Sequence, residues 1–375
     1  MEVYIVIISF IIFVIMLFIV STYLISSMIY NNLSNKTINK KVNKLQSIMY
    51  NKLSNDKGMN EEDIEQIKKI SSTKLGLRAF YLAYKDYINN NGYDFVIKEY
   101  INRIISYEKI RKNSIVRDKY KKSYILYLLS EFRIDSEKTR QISLQSLQDD
   151  SIYIRNNSLK LIQNIGDVEL ALQAINIINN TEKYFNEKIL LDFLDNFKGD
   201  IDILDKKLLD ILGNYNIKLK TKIIEHYSNR KNDSLEIRDS MLNYISTSDN
   251  KDVIISSTRY FKRVIDNRVA NILNKNLKNE HWEVRAISAK VISKYPNKKA
   301  IDILKQTIGD NNYFVRYNSA FSLISMEEKD QIMEELLNHH DRFAKDILAY
   351  VMFVNNIIDF ESYNNYKEKF AVQGG

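Results

Sequence analysis

The chain has no cysteine, a single proline (Pro296) and only nine glycines in 375 residues. Without thiols there are no disulfide staples, no thiolate nucleophile and no thiolate-bound metal, a composition compatible with a reducing compartment. Proline and glycine are the residues least tolerated inside helices, so their scarcity favours helix throughout. The catalytic signatures are missing too. No glycine-rich loop could cradle a phosphate, no GxSxG turn presents a serine and no HExxH pair could hold zinc. The four histidines, His226, His281, His339 and His340, read as surface or interface residues. The carboxylates Asp192, Asp195, Asp200, Asp202 and Asp205 read as turn residues, because paired acids become catalytic only within a pocket. A binding protein is therefore expected, with no enzymatic activity, no cofactor and no metal.

Charge is also missing from Val3 to Tyr30, which is crowded with Ile, Val, Phe and Leu. About twenty such residues rise far enough as a helix, at ~1.5 Å each, to cross a hydrocarbon core of ~30 Å. A cleavable signal peptide fits less well, since no Lys or Arg precedes the run, the run is long and no small-x-small site ends it. Lys36, Lys40, Lys41 and Lys44 follow the run and only Glu2 precedes it. The positive-inside rule then gives a single-pass cell-membrane protein, N-terminus outside and bulk of the chain cytoplasmic.

Beyond the anchor, Ile38, Val42, Leu45 and Met49 make one apolar stripe. It suits a stalk helix packed on the next domain, a short coiled coil or a helix lying on the membrane. Residues 55–60, with Gly58, predict a break before a helix opened by Glu61, Glu62 and Asp63. The next segment mixes tyrosines (Tyr81, Tyr84, Tyr87, Tyr93, Tyr100, Tyr107, Tyr120, Tyr124, Tyr127) with cations. Within it Lys109, Arg111, Lys112, Arg117, Lys119, Lys121 and Lys122 face the single acid Asp118. The tyrosines suit helix packing, with the lysines as a solvated face. The alternatives are contact with an acidic protein or lipid headgroups and, less suited to an anchored chain, a nucleic-acid platform. A net charge of +8 agrees with an acidic partner or membrane, although the Asn/Lys/Ile/Tyr bias accounts for part of the lysine excess.

A repeat governs the remainder. NEHWEVRAISAKVIS from Asn279 and DNNYFVRYNSAFSLIS from Asp310 share an acid or amide turn, a Val-Arg pair and an apolar helical face. Ile254, Val284 and Val315 are 30 and 31 residues apart, followed one turn later by Thr258, Ser288 and Ser319. In the first helices Leu242, Leu273 and Leu304 keep a 31-residue interval, as do Met241, Ile272 and Ile303. Such units bury their apolar faces only by stacking. About six pairs are expected over 139–326 and a closing pair over 330–356.

These residues resemble the HEAT-repeat family, in its short, lyase-like form of about thirty residues; 310–324, 279–292 and 149–162 match best. Together with the apolar N-terminal run, the resemblance implies an all-α protein, an N-terminal transmembrane helix followed by a right-handed α-solenoid of HEAT-like pairs. It also implies that Arg155, Arg285 and Arg316 form a structural ladder between turns, with Asp149 or Asp150, Glu280 and Asp310 as acidic partners. The pattern departs at Ile255, where arginine is expected, and at Arg259, where a small residue is expected. The divisions are 1–30 anchor, 31–60 stalk and break, 61–134 Tyr/Lys-rich helices, 135–329 repeats and 330–375 cap and tail. The expected function is a membrane-tethered scaffold or regulatory subunit for a membrane or membrane-associated protein, such as an envelope or exopolysaccharide synthesis enzyme. A HEAT-like lyase or nucleobase-modifying enzyme and a nucleic-acid-binding module are the alternatives. Trp282, the single tryptophan, is either an interface anchor or a packing residue.

Overall fold

The computed structural model describes residues 2–53, 58–113, 120–327 and 329–372, and every regular element among them is a helix. The chain divides into two compact units, 1–184 and 185–375.

The first unit holds α1 (Glu2–Leu53), α2 (Glu61–Ile70), α3 (Lys74–Asn91), α4 (Phe95–Ile104), α5 (Tyr107–Asn113), α6 (Lys121–Glu131), α7 (Glu137–Ser146), α8 (Ile152–Ile165) and α9 (Val168–Asn180). The segments expected as anchor and stalk form one uninterrupted helix of 52 residues, roughly 78 Å long at ~1.5 Å per residue. Its best window has a mean hydropathy of 2.8 and none of it is buried, so it is long and apolar enough to cross a membrane. Described large apolar side chains from Tyr4 to Leu33 are exposed, whereas Ile38, Leu45 and Met49 are at most 2% exposed. The stripe thus packs on its own unit, chiefly against α3.

The expected break falls partly outside the described residues, but Gly58 has φ +62° and the Tyr100 hydroxyl occupies the space a Cβ would need. Asn60 then opens α2 with a capping box: its side chain accepts from the Asp63 amide, and the Asp63 carboxylate accepts from the Asn60 amide. Most of the tyrosines turn inward. Tyr84 and Tyr87 are each 4% exposed, the Tyr81 and Tyr127 hydroxyls are 2.5 Å apart, and Phe80 stacks on Phe132. Arg133 covers the Tyr93 ring at 3.8 Å. Packing of helices accounts for these rings, while Tyr120 remains exposed.

The second unit holds α10 (Glu187–Asp195), α11 (Ile201–Ile211), α12 (Ile217–Arg230), α13 (Leu235–Thr247), α14 (Lys251–Tyr260), α15 (Val269–Asn276), α16 (Trp282–Ile292), α17 (Lys298–Thr307), α18 (Tyr313–Met326), α19 (Lys329–Asn338), α20 (Arg342–Val354) and α21 (Phe360–Val372). Second helices α10, α12, α14, α16, α18 and α20 pack in succession, as do the first helices α13, α15 and α17. Thr258, Ser288 and Ser319 are fully buried, so helices approach closely where the sequence placed small residues. In the first helices the buried series is Met241, Leu273 and Leu304, all 0% exposed. Leu242 is only half-buried. The interval from α13 to α15 is thus 32 residues and not the expected 31, and the added length lies before α14, where Met241 and Ile254 are 13 residues apart against 11 for Leu273 and Val284.

Polar ties hold the layers in register. The Tyr260 hydroxyl donates to the Asn232 carbonyl at 2.6 Å and Tyr295 to the Phe261 carbonyl at 2.6 Å. Asn318 reaches the Ala286 carbonyl at 3.0 Å and Ser322 the Ala289 carbonyl at 2.5 Å. At the C-terminal end, Ile332, Leu336, Leu348 and Met352 form an apolar cluster covered in part by Tyr363 and Tyr366 of α21.

Candidate interaction groove

Three of the seven basic residues singled out above, Lys109, Arg111 and Lys122, have partners within their own unit. Lys109 donates from Nζ to the Lys68 and Ile104 carbonyls and the Ser71 hydroxyl. Burial, helped by Lys68 nearby, pushes its pKa down to about 8. Arg111 pairs with Glu108 at 3.0 Å and Lys122 with Asp149 at 2.7 Å. Lys112 is exposed and Lys121 half-buried. Arg117 and Lys119 lie outside the described residues. Lys109 is thus a structural cation that satisfies backbone carbonyls rather than an open contact residue.

The three ladder arginines are built alike, though not with the partners expected. Each guanidinium donates through Nη1 into the turn before its own helix: Arg155 to the Asp149 and Asp150 carbonyls, Arg285 to those of Asn279 and Glu280, Arg316 to those of Asp310 and Asn311. Backbone carbonyls replace the expected acidic side chains of the same turn, and the Glu280 side chain is 86% exposed. Among the described residues, Arg285 of the preceding unit holds the Asp310 carboxylate. Burial opposes the charge on Asp149, but Lys122, the Ser151 amide and Arg155 outweigh it and lower its pKa. Arg316 instead lies over the Phe343 ring at 5.5 Å.

Across the exposed face of α12, α14, α16 and α18 runs a groove of about 540 Å³. Ile255, Ala286, Ile287 and Trp282 are its apolar lining. Trp282 is 39% exposed and stacks on Phe314 at 5.8 Å and 21°, so it packs against the next pair while keeping part of its ring free. Arg259, Lys262, Arg263 and Lys290 line the groove. The two acids there are already tied: Glu283 to Lys251 at 2.5 Å, Glu225 to Lys222 at 2.8 Å. Arg263 donates to the Asn229 side-chain oxygen at 2.8 Å, a neutral partner. Arg259, Lys262 and Lys290 have no carboxylate partner among the described residues. Desolvation, then Lys290, Lys294 and Arg263, lower the pKa of Lys262.

Sequence reasoning did not assemble this set, although it held the clue. Ile255 and Arg259, the two departures from the repeat, both line the groove. Arg259 is exposed where Ala289 and Ala320 are buried in the next two units. In the turn before α14, Asn250 caps the helix, accepting from the Asp252 and Val253 amides.

Nor is His226 a surface residue. It is 0% exposed, with Nδ1 2.6 Å from Asp195 and Nε2 2.9 Å from Asp205. Asp205, 1% exposed, also accepts from Arg230 and Asn232. Burial opposes the charge on His226, but the two carboxylates outweigh it and raise its pKa. The Asp cluster read as turn residues therefore includes two side chains that clamp a buried imidazole. His339 is also buried, at 8% exposure, and accepts from the Asp341 amide. No His/Asp/Glu group suited to a metal occurs among the described residues.

No family model and no curated protein matches this chain. Among solved structures, YibA of Escherichia coli is similar over 68% of this chain and 98% of its own, with 16% identity and a TM-score of 0.41. The CpcE–CpcF complex of phycocyanin lyase from Nostoc sp. PCC 7120 is similar over 71% of this chain and 95% of that one, with 10% identity and a TM-score of 0.28.

Proposed function

We propose that the chain is a membrane-tethered helical-repeat scaffold that binds another protein on the second-helix face of its C-terminal unit. The observation that carries this reading is the Trp282–Phe314 stack, two large rings left 39% and 56% exposed beside a groove. Tryptophan and neighbouring aromatics with a free face characterise interface anchors. α1 supports the tether by length and hydropathy, and the lysines after it support a cytoplasmic placement of the repeats. Tethering raises the effective concentration of the face toward partners in the same membrane. A membrane enzyme with a cytoplasmic domain, such as an envelope-polysaccharide synthase, is a partner of that kind. A photocrosslinking residue at position 314, with position 299 on a first helix as control, tests the reading in native membranes. A discrete protein adduct from 314 alone is expected; adducts only to lipid, or equal yields from both positions, would overturn it.

A further inference from the structure

Resting on that reading, we propose that the groove between α12 and α18 takes an acidic polypeptide segment that seats an aromatic or apolar side chain against Trp282. Charge complementarity selects the acid. Arg259 and Lys290, on the last turns of α14 and α16, and Lys262 just beyond α14 line the groove without a carboxylate partner among the described residues, while the acids Glu225 and Glu283 are held by lysines outside the lining. Some cations at the ends of α14 and α16 are favoured by the helix carbonyls there. That explains Arg259 and Lys290 on the last turns but not Lys262, which lies beyond α14 against like charges. A ligand carboxylate placed among them relieves their mutual repulsion.

Apolar complementarity selects the second element. Ile255 and Trp282 line the same groove from the first halves of α14 and α16, before the turns that carry Arg259 and Lys290, so an acidic residue and an aromatic one a few positions apart match both parts. A polypeptide fits this division better than a nucleic acid does. A phosphate chain calls for cations along its whole track and successive rings to stack on, whereas this track is interrupted by Glu225 and Glu283 and lined by one aromatic ring.

Trp282, the only tryptophan, reports on the groove directly. The full chain in detergent micelles is titrated, by tryptophan fluorescence, with a synthetic peptide in which glutamate pairs alternate with phenylalanine. Saturable change is expected, weakened at least about tenfold by glutamine for glutamate, by alanine for phenylalanine, or by Lys262→Glu with Lys290→Glu. Lys112→Glu in the first unit leaves binding unchanged, and circular dichroism of the double variant verifies its fold. Equal response to the glutamine peptide overturns the proposal. So does tighter binding of oligothymidylate with a steep salt dependence, which would assign the groove to nucleic acid. If position 314 crosslinks a protein while the acidic peptide leaves Trp282 unperturbed, the acidic chemistry fails and the scaffold reading survives; the reverse pattern removes the scaffold reading alone.

Discussion

Arg285 grips both carboxylate oxygens of Asp310, donating from Nε at 2.7 Å and Nη2 at 2.9 Å across 25 residues of chain. The same guanidinium caps the turn before its own helix, so one side chain ties two successive turns. With only 18% and 11% of the two side chains exposed, solvent screens the pair weakly. Arg285→Ala should destabilise the protein by about 2 to 4 kcal/mol, since it leaves a nearly buried carboxylate and turn carbonyls unmatched. A double-mutant cycle with Asp310→Ala in urea should show coupling of about 1 to 3 kcal/mol; additive losses would contradict the ladder.

The slipped register in α13 makes a sharp comparison between neighbours. Met241→Ala, at a fully buried site, should cost about 2 to 5 kcal/mol, while Leu242→Ala, half-buried, should cost clearly less. Leu304→Ala should resemble Met241→Ala. Denaturant midpoints that rank Leu242 above Met241 would restore the 31-residue register.

Within α1 two apolar stretches serve different surroundings. Leu45→Ala should lower the stability of the first unit by about 2 to 5 kcal/mol, because Leu45 is fully buried in it. Ile12→Ala, 53% exposed before substitution, should leave that stability unchanged in detergent. Equal effects on thermal melts would argue against the division.

His226 predicts a pH dependence with a definite sign. Its two carboxylates raise the folded-state pKa despite burial, so its stabilising contribution is complete below the unfolded value, ~6.5, and is lost as pH rises through the higher folded value. Stability should therefore decline as pH rises above ~6.5, and His226→Gln should remove that part of the slope. Loss of the imidazole altogether, as in His226→Ala, should cost about 3 to 5 kcal/mol by leaving Asp205 less well compensated. Urea midpoints followed across this range check both; an unchanged slope in the glutamine variant would dissociate it from His226.

How much of this could be read in the residues differs from feature to feature. The long apolar N-terminal helix was legible because hydropathy is a local property, and the stripe Ile38, Val42, Leu45, Met49 because helical period alone aligns it. Ser288 and Ser319 were legible because a repeat shows its small contact positions by recurrence. Arg285 was identified as a ladder residue, but its acid was not, since a guanidinium reaches in three dimensions and its nearest carboxylate stands in the following unit. His226 was misread because its two aspartates, 31 and 21 residues away, share no local pattern with it. The groove was hidden for the same reason: Arg259 and Lys290 belong to different units and converge only after α14 and α16 stack.

Sequence by itself determined the all-helical class, the long apolar N-terminal helix and the stacking period. Each is a matter of propensity, hydropathy or interval, which act along the chain. The tertiary structure alone decided which cations are spent inside the fold, as Lys109 is, and which stand unmatched, as Lys262 does. That outcome rests on distance and burial, which a linear order of residues does not contain.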